Sequence, residues 1–351
     1  MPMTKSILYL VDHASQLEAS LRMLGELRQK GLTVTVCPDS ASLNYVSAKG
    51  WEKLSGSPVV SAEAVEQFYG NERPLAVLMD TWRPRFRKVL EWLGAPVLLK
   101  GAKLPKGLPP RSAVFSEFSG PRVGLHLESF LQPQQFAGKT VVVTAGPTVE
   151  DIDPVRFLTN RSSGKMGMAI AVAAAMRGAK VMLIHGPMQA SVPIWPSLED
   201  IPVRSAQQMH DAVRDSWSQA QVAILCAAVA DFRPDHYVPQ KIKKIEGEGM
   251  VLSLERTPDI LAELGAMPNH PFLVGFAAET DDVEINALNK LRKKHCDMLC
   301  ANDIRKPGSG FAVDTNQITI YASDGMVRAL PMLSKQAAAY CILDEVARRM
   351  N

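Results

Sequence analysis

Apolar residues come in short blocks separated by amphipathic stretches along most of the chain. Residues 6–11 form a short apolar run, 17–30 carry helical spacing that stops at Gly31, and 32–37 alternate as a strand does, which predicts one β-α-β unit. Residues 76–79 and 95–99 read as further strands around a helical stretch at 83–93, so the first 100 residues predict a small doubly wound α/β sheet. The stretch that follows differs in kind. Pro105, Pro109, Pro110, Pro121 and Pro133, with several glycines, disfavour a continuous helix or a central strand and predict an extended linker over 101–136.

A second α/β series begins with a β-branched strand at 140–144 and a small-residue helix at 167–177, capped by Gly178. Strands at 181–184, 222–226, 272–276 and 298–301 then alternate with helices at 207–219, 259–264 and 283–294. Such alternation predicts a Rossmann-like parallel sheet with right-handed crossovers over 137–351. Residues 317–321 and 327–330 flank Asp324-Gly325 as a hairpin before a terminal helix. The chain shows no internal repeat and no low-complexity tract.

Composition adds limits more than content. At 351 residues and 46% hydrophobic, the chain can bury large cores and fits two domains. A net charge of +3 gives no reason to invoke nucleic acid, and a small anion is the better partner. Five cysteines without a CxxC pair and seven histidines without HExxH argue against disulfides and structural zinc, and no metal ligand is assigned. The N-terminus lacks a cleavage-type site and no run of about 18 apolar residues follows, which predicts a cytoplasmic protein with no membrane partner.

Ligands of open α/β sheets bind beyond the carboxyl ends of the strands, so the loops after 144, 226, 276 and 301 carry the search. After the first strand come Ala145-Gly146-Pro147-Thr148, then Asp153-Pro154-Val155-Arg156-Phe157 and Asn160-Arg161-Ser162-Ser163-Gly164-Lys165-Met166-Gly167. The Ser and Gly amides of the last string suit phosphate oxygens at a helix N-terminus, or simply a tight helix entry. The spacing is neither a Walker loop nor GxGxxG. Asp231, just past a strand end, suits a ribose hydroxyl or a metal, and Lys241-Ile242-Lys243-Lys244 suits a polyphosphate or is a solvated charged run. Phe276 fits a base or the core. Lys290 and Lys294 share one helix face and reach phosphates, or are surface lysines.

In order over about 200 residues, the strings TAGPT, DPVRF, NRSSGKMG, AAVADFRP, KIKK, RTPDIL, VGFAAET and AND resemble phosphopantothenate–cysteine ligase, often fused in bacteria behind a flavin-dependent decarboxylase. The resemblance implies joining of 4′-phosphopantothenate to L-cysteine through an acyl-nucleotide, an acyl-cytidylate where CTP is the nucleotide, with Mg²⁺ as helper. It implies Lys241 as the catalytic lysine, Asn160 as holder of the acyl-nucleotide and Arg156 as a third residue needed for activity. Leu225, Cys226 and Ala227 would present backbone to the base, Asp231 would contact the nucleotide, and Pro258, Asp259, Ile260, Leu261, Phe276, Lys290 and Lys294 would complete the pocket. The expected assembly is a homodimer. Val149 and His185 depart from the common pattern, at edge contacts.

Residues 6–59, with Leu54-Ser55-Gly56-Ser57-Pro58-Val59, are similar to the start of the decarboxylase's flavodoxin-like half, but Asp12-His13-Ala14-Ser15 stands where a flavin-phosphate loop is expected. That predicts a degenerate domain without FMN. The competing readings are a flavoprotein of the decarboxylase class and a non-catalytic nucleotide-binding relative. A nicotinamide-dependent dehydrogenase is disfavoured, for it should show GxGxxG after a first strand.

Overall fold

The computed structural model describes residues 6–11, 17–29, 31–83, 86–100, 105–109, 111–115, 121–188, 192–193, 195–243, 249–303, 305, 308, 310 and 313–350. The 12–15 loop and Lys244 lie outside them. The chain divides into two compact units, Met1–Pro133 and Gln134–Asn351.

The first unit runs β1 (Ser6–Val11), α1 (Leu17–Gln29), β2 (Thr33–Pro38), α2 (Ser40–Leu43), α3 (Ala48–Ser55), α4 (Val65–Tyr69), β3 (Ala76–Met79), α5 (Arg87–Leu93), β4 (Val97–Lys100), β5 (Ala113–Phe115) and α6 (Pro121–Leu131). Its strands pair in parallel in the order β2-β1-β3-β4-β5, the flavodoxin-like order. Alternation along β1 sends Ile7, Tyr9 and Val11 to a core with Leu24, Leu27, Trp51 and Phe130, and Leu8 and Leu10 to a core with Val65, Phe86 and Leu90. Both faces are thus covered, as a parallel sheet requires. The segment expected to be a linker instead supplies the edge strand β5 and the helix α6. Its prolines are compatible with that, because Pro121 opens α6, where a missing N–H costs nothing, and none interrupts β5.

The second unit continues with β6 (Thr140–Ala145), β7 (Val149–Asp151), β8 (Phe157–Thr159), α7 (Lys165–Met176), β9 (Lys180–His185), β10 (Leu198–Pro202), α8 (Ala206–Ser216), β11 (Val222–Leu225), β12 (Phe232–Pro234) and β13 (Leu254–Arg256). It ends with α9 (Ile260–Gly265), β14 (Phe272–Glu279), α10 (Val283–Lys293), β15 (Met298–Asp303), β16 (Thr315–Asn316), β17 (Ile318–Ala322), β18 (Val327–Ala329), β19 (Leu333–Ser334) and α11 (Lys335–Arg349). The main sheet has the order β10-β9-β6-β11-β14-β15-β17-β18. It is parallel from β10 to β15 and antiparallel beyond, where the β17–β18 hairpin closes the edge. From β6 the chain builds outward through β9 and β10, then returns to place β11 on the other side of β6. This reversal opens a crevice at the carboxyl ends of β6 and β11.

Helices α7 and α11 cover one face of this sheet, while α8, α9 and α10 cover the other. Local signals start three of the helices: Ser205 and Gln208 form a capping box on α8, Asp259 caps α9 and Ser334 caps α11. Helices α7 and α10 begin without a side-chain cap, and the N-cap of α7 is Gly164 at φ +76°. A Cβ on Gly167 would lie 2.6 Å from Ala145 Cβ and 2.8 Å from the Thr144 carbonyl, so glycine there lets α7 sit directly on β6. Three two-stranded ribbons, β7–β8, β12–β13 and β16–β19, add to the main sheet. No helix among the described residues is long and apolar enough to cross a membrane.

Candidate active site

A cleft of about 650 Å³ occupies the crevice beyond β6 and β11. Its floor is the loop after β11, laced to the loop after β6 by hydrogen bonds. Thr144 Oγ1 accepts from the Ala227 amide at 3.1 Å, Thr148 Oγ1 from the Ala230 amide at 2.9 Å, and the Gly146 carbonyl from the Ala228 amide at 2.9 Å. Both threonines are buried. The TAGPT string is therefore a scaffold for the AAVAD loop, whose residues line the cleft.

Asn160, Leu225, Cys226, Ala227, Asp231, Pro258, Asp259, Ile260, Leu261, Phe276, Lys290 and Lys294 all line this one cleft. They come from stretches more than 130 residues apart, gathered by the sheet topology. Asn160 Nδ2 donates to the carbonyls of Ala228 and Val229 at 3.0 and 3.1 Å, which commits both amide hydrogens and pins the NRSSGK loop to the floor. The acceptors fix the amide's orientation, since a flipped side chain would set oxygen against two carbonyls. Lys290 Nζ donates to the Phe276 carbonyl at 3.0 Å, and Lys294 pairs with Asp259. Burial works against ionisation of Asp259, but Lys294, the Ala262 amide and Lys290 outweigh it and hold the carboxyl below its ordinary range. Burial pushes the Cys226 thiol up to about 12, with Lys335 opposing, so this side chain is a neutral wall and not a nucleophile.

Arg156 and Lys241, expected at the chemistry, do not line the cleft. Arg156 Nε and Nη2 grip Asp153 at 3.0 and 2.8 Å, and Nη2 also donates to the Ile242 carbonyl at 2.5 Å. Asp153 in turn accepts from the amides of Val155, Arg156 and Ile242. Burial would raise its carboxyl, yet these three amides and the guanidinium bring it down to about 2. The DPVR loop thus clamps Ile242 by both its amide and its carbonyl, and Lys241 stands exposed beside that clamp. The spacing of DPVR and KIKK, 85 residues apart, carries no hint of this contact.

Several lining residues were not singled out from the sequence, among them Lys165, Arg256, Asn302, Asn316 and Lys335. Lys165 lies inside the NRSSGKMG string. Lys335 follows a helix cap 170 residues later, and nothing local marks it as belonging here. Among the described residues no group of three or more His, Cys, Asp or Glu could hold a metal ion.

The chain matches known proteins over more than half of its length. The protein that serves as the coenzyme A biosynthesis bifunctional protein CoaBC of Vibrio vulnificus (strain CMCP6) is 47% identical over 226 residues, covering 64% of this chain and 56% of that protein. The protein of that name from Bacillus subtilis (strain 168) is 50% identical over 210 residues, covering 60% of this chain and 51% of its own length. The chain therefore spans about half the length of these curated relatives. A crystal structure of the C-terminal domain of a CoaBC superposes with a TM-score of 0.53 at 42% identity, covering 62% of this chain and 98% of that domain. Residues 136–350, which hold the whole of the cleft, fit the family described as the DNA/pantothenate metabolism flavoprotein C-terminal domain, and the chain belongs to that family.

Proposed function

We propose that the second unit is a phosphopantothenate–cysteine ligase that activates 4′-phosphopantothenate as an acyl-nucleotide and transfers the acyl group to the amine of L-cysteine. The observation that carries the reading is the convergence in one cleft of the 225–231 loop, an aromatic and apolar wall at Ile260, Leu261 and Phe276, an acidic residue at Asp231 and cationic residues on and beside α7, α10 and α11. A carboxylate is a poor electrophile, so its oxygen must first attack the α-phosphorus and expel pyrophosphate. Charge then accumulates on phosphate oxygens, and preorganised amides and ammonium groups stabilise it. A covalent protein nucleophile is unnecessary, in keeping with the neutral thiol of Cys226.

In this reading the 225–227 backbone and the 258–261 turn take the base, and Asp231 takes the ribose. Asn160 fixes the floor against which the acyl-nucleotide lies. Lys241 reaches the reacting phosphate from the segment clamped by Arg156, which makes Arg156 a positioning residue. Mg²⁺ would enter as the companion of the nucleotide, held through phosphate and water, with no protein ligand assigned to it. Its chemistry there would be charge neutralisation. CTP is favoured over ATP on the motif resemblance alone. No FMN enters the reading.

A homodimer is supported by exposed apolar side chains on and beside the β7–β8 and β12–β13 ribbons, including Val155, Phe157, Phe232, Tyr237 and Val251. Mass photometry at nanomolar concentration tests it, and a single monomer peak would contradict it. The function is tested by pyrophosphate release from CTP or ATP, with phosphopantothenate and cysteine omitted in turn. Release that depends on phosphopantothenate supports the reading. Its absence with both nucleotides overturns it.

A further inference from the structure

Helix α9 is six residues long. Asp259 caps it, and Asp259, Ile260 and Leu261 line the cleft. A helix of that length is not stable by itself, so contacts with neighbouring elements decide where these three residues stand. Ile260 and Leu264 are buried in the core beneath α9, and Lys294 pairs with Asp259 on the α10 side. The tie on the α8 side is His210, whose Nε2 lies 2.8 Å from Glu263 Oε2.

His210 is buried, and its ring stands between two carboxylates, with Nδ1 at 3.0 Å from Asp211 Oδ1. An ionised carboxylate has no hydrogen to donate, so both ring nitrogens must carry one for both contacts to hold. A neutral ring carries one hydrogen and would turn a lone pair toward one of the two acids. The contact geometry therefore suits the imidazolium. Asp211 on its own helix and Glu263 on α9 are the charges that act on the ring. Gln207 and Arg214 of α8 act on Asp211. The strands under α8 and α9 supply Val142, Met182, Ile184, Ala223 and Leu225, which carry no charge. Burial works against the charged ring, but Asp211 and Glu263 outweigh it and raise its pKa above the ordinary 6.5. Helix α8 is anchored independently, by its capping box and by Glu150 Oε1, which accepts from the Ala206 amide at 2.8 Å.

We propose that His210, which lies outside the cleft, is a positioning residue for the 258–261 turn, and that release of its proton loosens α9 and weakens the hold on a nucleotide. The proposal rests on the reading in which that turn meets the base, and it adds a dependence on pH. The ring gives one proton to solvent, the charge-assisted bridge between α8 and α9 is lost, and no bond between heavy atoms forms or breaks. Because the pKa is raised in the folded chain, the bridge is complete below pH 6.5 and is lost as pH rises through the folded value.

The test is calorimetric binding to the full chain, with magnesium CTP and magnesium ATP as separate probes at about pH 6 and about pH 8.5. Comparison with His210→Gln at each pH cancels the titration of the probe's own phosphates. The variant should bind about three- to fivefold more weakly at the lower pH, the scale of a partly exposed ion pair, and equally at the higher. Linkage is reciprocal, so bound nucleotide should raise the midpoint of the His210 ring in NMR by about half a pH unit, which a ring serving the fold alone would not show. Glu263 is 44% exposed at its side chain, so Glu263→Gln carries the same test if His210→Gln does not fold. An affinity ratio that is the same at both pH values, or a midpoint unmoved by nucleotide, overturns the inference and leaves the ligase reading standing. If neither nucleotide binds the unmodified chain, both fall. If binding follows His210 but no pyrophosphate is released with the full set of substrates, the inference stands and the ligase reading falls.

Discussion

Replacing Arg156 by Ala tests whether the DPVR loop acts on substrate or on the segment around Lys241. The guanidinium is about a third exposed, and it donates to the Ile242 carbonyl at 2.5 Å while bridging to Asp153. A hydrogen bond from a charged donor is worth ~1.5–3 kcal/mol, and solvent screening at this exposure reduces that to roughly 1–2 kcal/mol. Such a loss raises the undocked fraction of residues 241–243 by about 5–30-fold. Asp153 keeps the Val155 and Ile242 amides, so the segment is loosened and not released. The expected result is a fall of about 5–30-fold in kcat/KM for pyrophosphate release, with faster hydrogen exchange at the Ile242 amide. Arg156→Lys should recover little, because one ammonium group cannot bridge Asp153 and the Ile242 carbonyl together. A loss of about 10³-fold with exchange at Ile242 unchanged would refute the reasoning, since it would mean that the guanidinium meets a reacting group.

Three further outcomes follow from the same geometry. Lys241→Gln should lower turnover by ~10²-fold or more at an unchanged Tm, because its side chain is exposed and holds nothing in the fold; a normal rate removes it from the chemistry. In Asn160→Asp the carboxylate is repelled by the Ala228 and Val229 carbonyls and swings into the cleft, where it opposes the oxyanion formed when cysteine attacks. Quenched-flow analysis should then show first-turnover pyrophosphate release without transfer to cysteine; loss of the first turnover as well would place Asn160 in activation. Asp153 has its carboxyl held down at about 2 against an ordinary 3.8, so the stability it contributes is present above about pH 4 and is lost as pH falls toward 2. Urea unfolding of Asp153→Asn and the unmodified chain should differ by a constant amount from pH 5 to 8 and converge in acid, and a pH-independent difference would exclude the ionised carboxylate as its source.

The alternation of apolar runs and helical stretches made the parallel core of both units legible in the sequence, because strands buried on both faces leave continuous apolar blocks such as 140–144 and 222–225. The ribbons β7–β8 and β12–β13 were not legible. Each strand is three residues long, and Pro234 ends β12, so neither alternation nor length marks them. Proline content hid β5 and α6 for a similar reason, since composition over a segment says nothing of whether prolines fall at helix starts or inside elements. The cleft lining was legible where residues sit at or near the carboxyl end of a strand, as Cys226 does directly after β11, Asp231 in the loop that follows it and Phe276 in the second half of β14. The clamp on Ile242 and the lining of one cleft by both Lys165 and Lys335 join positions 86 and 170 residues apart in the chain, which no local pattern encodes.

The central claim is an acyl-nucleotide intermediate, and isotope transfer tests it most directly. Phosphopantothenate labelled with ¹⁸O in its carboxylate is turned over with cysteine and CTP, and the released nucleoside monophosphate is analysed by mass spectrometry. Attack of the carboxylate on the α-phosphorus, followed by aminolysis at carbon, predicts one ¹⁸O in the monophosphate for each amide formed. Label in inorganic phosphate, or amide formed with an unlabelled monophosphate, would contradict it.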